Sequence, residues 1–332
     1  MASSRKGRRS SLEDEQRALA EATIDPRSTA ASECLHAALR SHHALVVARA
    51  ASLIRQHGIG GFDADLADAF ERFLRDPAKT DPSCHAKLAA IEALDYSEST
   101  DAEPFLKATR HVQKERAWGP PVDTAAGVRA RGVLALARIG YEQLDLVAAE
   151  ALADPESPVR QAALEALAHR GSAAGAGLAL LKLRVGDEDP LVTLAAMSTL
   201  LSVAPEWGLG TLRPLLDGTD EQRREIAAMA LGQSRNEGAL AMLLEALERC
   251  VRAAERVVLL RAIAIHRSEP ALGAILKVIA EGNAADAEAA IEALAVRRFE
   301  PAVVEQVRAA ARRNESDLDA IVAEAFAATE DR

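Results

Sequence analysis

Aromatic side chains and cysteines are scarce in this sequence. Phe, Trp and Tyr make up only 3% of the 332 residues, while apolar residues reach 49%. The core must therefore be built from Ala, Leu, Val and Ile, which suit closely packed helices better than sheets. The three cysteines, Cys34, Cys84 and Cys250, are too few and too scattered for a disulfide framework, which indicates a reducing compartment.

Long apolar runs are also missing. No window approaches the roughly 18 consecutive apolar residues of a membrane-spanning helix. The basic N-terminus has no apolar run behind it that would make an export signal. We therefore expect a cytoplasmic protein that makes no contact with a membrane.

The chain has no excess of positive charge. Its formal net charge is -10, so the long-range field opposes the phosphate groups of nucleic acids and of anionic membranes. Four basic residues do cluster among the first nine, ahead of a polar amphipathic stretch over residues 12–24. Residues 1–31 are predicted to form a flexible basic tail that can carry a short capping helix.

A repeated helical pattern dominates the rest of the chain. Its clearest copy is the stretch from Asp154 to Gly171, in which Val159, Ala163 and Leu167 fall on one helical face and the glycine stands where a C-cap favours it. Apolar residues equivalent to Leu167 recur along the chain, mostly 31–33 residues apart: Ile54, Leu94, Leu136, Leu167, Leu200, Leu231, Ile263, Leu294 and Phe326. This period predicts stacked helical hairpins, because one hairpin cannot bury its apolar face alone.

In several copies an acidic residue precedes a basic residue by six positions. An Asp-Pro pair marks the start of this pattern at Asp81 and Asp154, and an Ala-Leu-rich helix follows. The pairs are Asp81 with Lys87, Asp123 with Arg129, and Asp154 with Arg160, while Asp187 is followed by Thr193 instead. This pattern resembles the HEAT repeat, in its short bacterial form, which also occurs in phycobilin lyases.

The HEAT resemblance implies a right-handed α-solenoid of about eight to nine stacked hairpins. The repeat domain would span residues 32–332, with an insertion at about 95–127. In HEAT proteins the acidic and basic residues form a structural ladder along the stack, which implies that role for Asp81, Lys87, Asp123, Arg129, Asp154 and Arg160. Arg224 and Arg256 keep the basic position but have no acidic residue at this spacing.

The basic column, Lys87, Arg129, Arg160, Arg224 and Arg256, has a second interpretation. Stacking would align these side chains along one edge, as in a phosphate-binding stripe. HEAT-like alkylpurine DNA glycosylases are similar in this respect. The sequence favours the structural ladder, because three members have their acidic partner and the whole chain is acidic.

The insertion contains the residues that the repeat does not explain. Trp118 precedes Gly119-Pro120-Pro121, where no regular helix can continue. The neighbouring His111, Lys114 and Arg116 make this segment a candidate protein-binding element, since Trp and Arg concentrate binding energy. The alternative is that the segment fills the gap left by the longer repeat.

No catalytic motif and no Gly-rich phosphate loop occurs in the sequence. A metal site formed by Cys34, His36, His42, His43, Cys84 and His85 is geometrically conceivable but lacks a ligand-spacing motif. We therefore expect a non-enzymatic, monomeric scaffold or adaptor that binds an unknown protein partner and needs no cofactor. Nucleic-acid binding or base excision, and a lyase or chaperone role, are the alternatives.

Overall fold

A computed structural model describes residues 12–327. These residues contain twenty α-helices and one two-stranded antiparallel sheet, so the prediction of an all-α repeat fold is confirmed. The basic residues Arg5, Lys6, Arg8 and Arg9 of the expected tail lie outside the described part of the chain.

The described residues divide into two compact units, 12–170 and 171–327. In unit 1 the helices and strands are α1 (Leu12–Ala22), α2 (Thr29–Leu39), α3 (Ala44–His57), α4 (Asp63–Phe73), α5 (Pro77–Thr80), α6 (His85–Tyr96), α7 (Ala102–Arg110), β1 (Lys114–Ala117), β2 (Gly119–Asp123), α8 (Ala126–Arg138), α9 (Leu144–Ala151) and α10 (Ser157–Arg170).

Unit 2 consists of helices alone within the described residues. They are α11 (Ala173–Val185), α12 (Pro190–Val203), α13 (Pro205–Leu216), α14 (Glu221–Gln233), α15 (Glu237–Arg249), α16 (Ala253–His266), α17 (Glu269–Glu281), α18 (Ala284–Leu294), α19 (Pro301–Ala311) and α20 (Asp319–Ala325).

Residues 12–31, which were expected to form the flexible tail, are part of unit 1. Helix α1 packs against α2 and α3 and buries Leu19. Ser28 caps α2 by accepting a hydrogen bond from the backbone N–H of Ala31. An N-cap of this kind satisfies one of the backbone donors that a helix leaves free at its start.

The helices that carry the repeated apolar residue form one layer within each unit. Helices α3, α6, α8 and α10 pack in succession in unit 1, and α12, α14, α16, α18 and α20 do so in unit 2. The residues equivalent to Leu167 are at most 2% exposed from Ile54 to Leu294, whereas Phe326 at the last repeat is half-buried. The core therefore follows the apolar period that is visible in the sequence.

Small residues set how closely neighbouring helices approach. Four positions before Leu136, Gly132 lies against α7, and a Cβ there would stand 2.9 Å from the carbonyl oxygen of Phe105 and 2.9 Å from Ala108 Cβ. Directly after α10, Gly171 has a φ of +67°, which glycine adopts without steric cost. These glycines are thus required by packing and by backbone conformation, respectively.

Across residues 12–327, no helix combines the length and the apolar character that crossing a bilayer requires.

Candidate functional site

The insertion between the second and third repeats folds into helix α7 and a β-hairpin. Strand β1 pairs with β2 from Lys114, opposite Asp123, to Ala117, opposite Gly119, with an irregularity between Glu115 and Ala117. Trp118 alone connects the two strands. The sequence excluded a regular helix at Gly119-Pro120-Pro121, but it did not predict strands.

The tip of this hairpin is exposed. The relative exposure of Trp118 is 110%, and Lys114 and Arg116 are exposed as well. The Trp118 side chain itself therefore does not fill the gap left by the longer repeat. Three of the four candidate binding residues lie on the exposed hairpin, whereas His111 is half-buried at its base.

The base of the hairpin is a buried polar network, centred on Gln113. The side-chain Nε2 of Gln113 donates to the backbone carbonyl of Asp81 at 3.0 Å and to Glu115 Oε1 at 2.6 Å. Its Oε1 lies 3.2 Å from His111 Nε2. Because Gln113 is buried, these partners satisfy groups that would otherwise be costly to remove from water.

Glu115 points into unit 1 and attaches the hairpin to the segment before α6. Its Oε1 accepts hydrogen bonds from the backbone N–H of Ser83 at 2.7 Å and from Thr124 Oγ1 at 2.7 Å, in addition to Gln113. The hydrogen bond from Gln113, together with those from Thr124 and Ser83, holds the pKa of the Glu115 carboxyl below its ordinary value. Ser83 has a φ of +60°, so Glu115 anchors a strained, left-handed backbone.

Asp123 closes the network at the other end of the hairpin. Its Oδ1 accepts hydrogen bonds from the backbone N–H groups of Gln113 and Ala125, at 3.1 and 3.0 Å, and its Oδ2 lies 2.8 Å from Arg129 Nη1. Burial alone would raise the pKa of Asp123, but the hydrogen bonds and the Arg129 charge keep it below its ordinary value. The Asp123 carboxylate therefore binds groups inside the protein and does not face solvent.

The basic column continues from this network into the neighbouring repeat of unit 1. Arg129 is 2% exposed and binds Asp154 through Nε at 2.7 Å and Nη2 at 2.9 Å. Its Nη1 also donates to the carbonyl of His111 at 2.9 Å. Arg129 thus bridges its own Asp123 and the acidic residue of the next repeat, which spacing within one repeat could not show.

The other two pairs of unit 1 differ from each other. Lys87 and Asp81 form an ion pair at 3.0 Å in which neither side chain is exposed. Arg160 instead donates from Nη1 to the backbone carbonyls of Asp154 and Pro155, both at 2.8 Å. Arg160 thus contacts the backbone of Asp154, while Arg129 holds the carboxylate of that residue.

Unit 2 has ion pairs that the sequence did not predict. Arg224 Nη2 lies 2.9 Å from Glu255, and Arg256 Nε lies 2.8 Å from Asp286. Glu255 and Asp286 share one repeat position, immediately before the position of the basic column. In unit 2 the acidic partner thus occupies a different repeat position from that in unit 1. The spacing of six residues therefore did not identify it.

Thr193 interrupts the basic column in unit 2. It borders a cavity of about 400 Å³, together with Asp187, Met197, Asp220 and others. Lys182, from the preceding helix α11, lies 2.6 Å from Asp187. In this repeat Asp187 therefore pairs with a cation from α11, whereas the basic-column position, Thr193, lies in α12.

The second tryptophan, Trp207, is 70% exposed at the start of α13. It borders an apolar groove of about 470 Å³ that also contacts Gly177, Leu180 and Val203. Most of the Trp207 side chain faces solvent.

The candidate metal ligands are not brought together. His36 Nδ1 lies 2.8 Å from Asp65 Oδ2, and Cys84 Sγ lies 3.7 Å from Thr124 Oγ1. In residues 12–327 no group of three or more His, Cys, Asp or Glu side chains is arranged to hold a metal ion. These contacts do not support the hypothesis of a shared Cys-His site.

We expect the stability of unit 1 to fall in acid, with His111 contributing in the range just below neutrality. Burial lowers the pKa of His111 below its ordinary value of 6.5. A depressed histidine pKa means that the unfolded chain binds the proton more tightly, so stability is lost as pH falls from about 6.5 towards the folded pKa. In His111→Gln, the melting temperature should therefore change less between pH 7 and pH 5 than in the unchanged protein.

His57→Gln is the control for this titration, because His57 is exposed. Its melting temperature should follow the pH profile of the unchanged protein. An unaltered profile in His111→Gln would contradict the placement of His111 in the buried network.

Comparisons with known proteins do not place the chain in a family. No protein-family model matches it, and no curated protein matches it. A structure of human deoxyhypusine hydroxylase in complex with glycerol is 20% identical, over 78% of this chain and 91% of that chain, with a TM-score of 0.29. The crystal structure of an engineered protein is 14% identical, over 94% of this chain and 92% of that chain, with a TM-score of 0.37. With TM-scores this low, neither likeness carries an argument about function.

Proposed function

We propose that this protein is a non-enzymatic, HEAT-like repeat scaffold that binds another protein, and that the hairpin of residues 111–123 is its recognition element. The observation that carries the proposal is the contrast between the two ends of this hairpin. Its base is fixed by hydrogen bonds that Gln113 donates and that Glu115 and Asp123 accept, while Trp118 at its tip is fully exposed.

A fixed hairpin reduces the cost of binding. A flexible loop must lose conformational freedom when it binds, whereas a preorganised element has lost that freedom during folding. Tryptophan is among the residue types enriched at binding hot spots, since its large side chain buries much apolar area. In the free protein the Trp118 indole leaves a large apolar surface in water, and burial against a partner would remove it.

The basic column gives little support to the nucleic-acid alternative. Lys87 and Arg129 are buried in ion pairs, and Arg224 and Arg256 are held by Glu255 and Asp286. Arg160 is 6% exposed and donates to backbone carbonyls. A phosphate would have to compete with these partners for each cation. No observation among residues 12–327 favours the lyase or chaperone alternative.

Substitution of Trp118 by alanine tests the proposal. The purified full-length protein is used to capture partners from an extract of its source cells, beside the Trp118→Ala variant. We expect the variant to keep its melting temperature, because the indole is exposed, and to lose a specific partner at least about 30-fold, as for a hot spot of about 2 kcal/mol.

Val251→Ala is the matched control, because Val251 is 92% exposed in unit 2. It should capture the same partner as the unchanged protein. Equal capture by Trp118→Ala and Val251→Ala would rule out the hairpin tip as the recognition element.

A further inference from the structure

The two cations of the hairpin are exposed, whereas its two carboxylates have partners within unit 1. Lys114 and Arg116, on either side of Glu115, are exposed. Glu115 accepts hydrogen bonds from the backbone N–H of Ser83 and from Thr124 Oγ1. Asp123, the other acidic residue of the hairpin, is held by Arg129. The positive charges are therefore open to solvent, while both carboxylates already have partners.

The exposed part of the hairpin is consequently cationic and apolar. Besides Lys114 and Arg116 it presents Trp118, Pro120 and Val122 to solvent. A local positive charge next to an exposed indole is unexpected in a chain whose net charge is -10.

We infer that the hairpin tip binds an acidic peptide segment of the partner protein, with carboxylates beside Lys114 and Arg116 and an apolar side chain against Trp118. This inference rests on the proposed function of the hairpin. Complementary charges give an interface its specificity and its association rate, and the apolar contact with the indole supplies hot-spot energy. The prolines remove backbone donors from β2, so the partner is recognised through side chains on this strand.

An acidic peptide fits the charge distribution better than an anionic membrane or a nucleic acid does. Charges are screened beyond about 8 Å at physiological ionic strength, so a short segment experiences mainly the hairpin tip. A membrane or a duplex is an extended anionic surface and would be repelled by the acidic body of the protein. Two cations contribute only about 1 kcal/mol each near an anionic membrane.

Selection from a displayed library of random 12-residue peptides tests this inference. The full-length protein, Trp118→Ala and the double variant Lys114→Glu/Arg116→Glu are used as separate baits at about 0.15 M salt. We expect peptides that require Trp118 to be enriched in Asp and Glu and to contain an aromatic or aliphatic residue. The double variant should reduce their enrichment at least about tenfold, as for two lost exposed ion pairs.

Arg312→Glu/Arg313→Glu is the matched control, since both residues are exposed and the change in net charge is the same. It should enrich the same acidic peptides as the unchanged protein. A pool that depends on Trp118 but is neutral or basic would overturn the acidic-peptide inference while leaving the hairpin as a protein-binding element.

The remaining outcomes separate the two proposals further. If no peptide pool depends on Trp118, both the inference and the proposed function fail. Vesicles of phosphatidylcholine with 30% phosphatidylserine are tested by sedimentation with the same variants. Sedimentation that is lost in Lys114→Glu/Arg116→Glu, without an acidic peptide pool, would assign the tip to an anionic membrane instead.

Discussion

Replacement of Arg129 by methionine is expected to lower the free energy of unfolding of unit 1 by about 3–5 kcal/mol, as for other buried ion pairs that lose one partner. The guanidinium contacts Asp123 at 2.8 Å, Asp154 at 2.7 Å and the carbonyl of His111 at 2.9 Å. Its removal leaves two largely buried carboxylates without their shared cation. Methionine retains much of the side-chain volume, so the loss reports on charge and hydrogen bonds more than on a cavity.

Urea unfolding, followed by circular dichroism of the full chain, measures this loss, and hydrogen exchange of peptides from α8 and α10 assigns it to unit 1. Arg249→Met is the control, because Arg249 is half-exposed in its pair with Asp217, and it should change stability by less than about 1 kcal/mol. Equal effects of the two substitutions would contradict the buried network.

Gly232→Ala is expected to destabilise unit 2 by up to about 3 kcal/mol, as overpacking does in a close-packed core. A Cβ at Gly232 in α14 would lie 2.3 Å from the carbonyl oxygen of Ala262 in α16. This separation is far shorter than a van der Waals contact, and a backbone atom cannot move aside as a flexible side chain can. The two helices must therefore separate.

Gly273→Ala provides a control with the opposite sign. Gly273 lies in the middle of α17, and no heavy atom lies within 4 Å of the position that its Cβ would take. Alanine there should stabilise the helix by about 0.5–1 kcal/mol, because glycine loses more conformational entropy on folding. Urea unfolding of both variants checks the contrast. A stabilised Gly232→Ala variant would mean that α14 and α16 do not approach as closely as the structure has them.

The repeated helices were predictable because each is determined by the apolar pattern of its own segment. The apolar period places Leu136, Leu231 and Ile263 on one face of each helix, and a face of this kind must be buried. The close approach at Gly232 was not predictable in the same way. It depends on Ala262, one repeat later, and nothing in the sequence around Gly232 shows how near that backbone comes.

The hairpin illustrates a different limit. Its strands contain prolines and charged residues and show no apolar alternation, so they lack the pattern of a half-buried strand. They are fixed by tertiary contacts of Glu115 and Gln113 with Ser83 and Asp81, which lie 32 residues away in sequence. The sequence singled out this segment only because Trp118 does not fit the repeat pattern. Gln113, Glu115 and Thr124 carried no pattern that would have singled them out.

The ladder was partly predictable, and its partners show why. Spacing within one repeat identified Asp81 with Lys87, which do form a buried pair. Arg224 and Arg256 use acidic residues of the following repeat, so their partners can be found only by comparing equivalent positions in consecutive repeats. Glu255 and Asp286 share such a position, immediately before the position of the basic column.

Contact between a partner protein and the tip of the hairpin can be captured by cross-linking. A photoreactive amino acid is placed at Val122, beside the tip, and separately at Val251 in unit 2, both exposed in the free protein. After irradiation in the source cells, we expect one specific cross-linked protein from position 122 and none of that protein from position 251. Cross-linking of the same protein from position 251 alone would show that the partner binds elsewhere than at the hairpin tip.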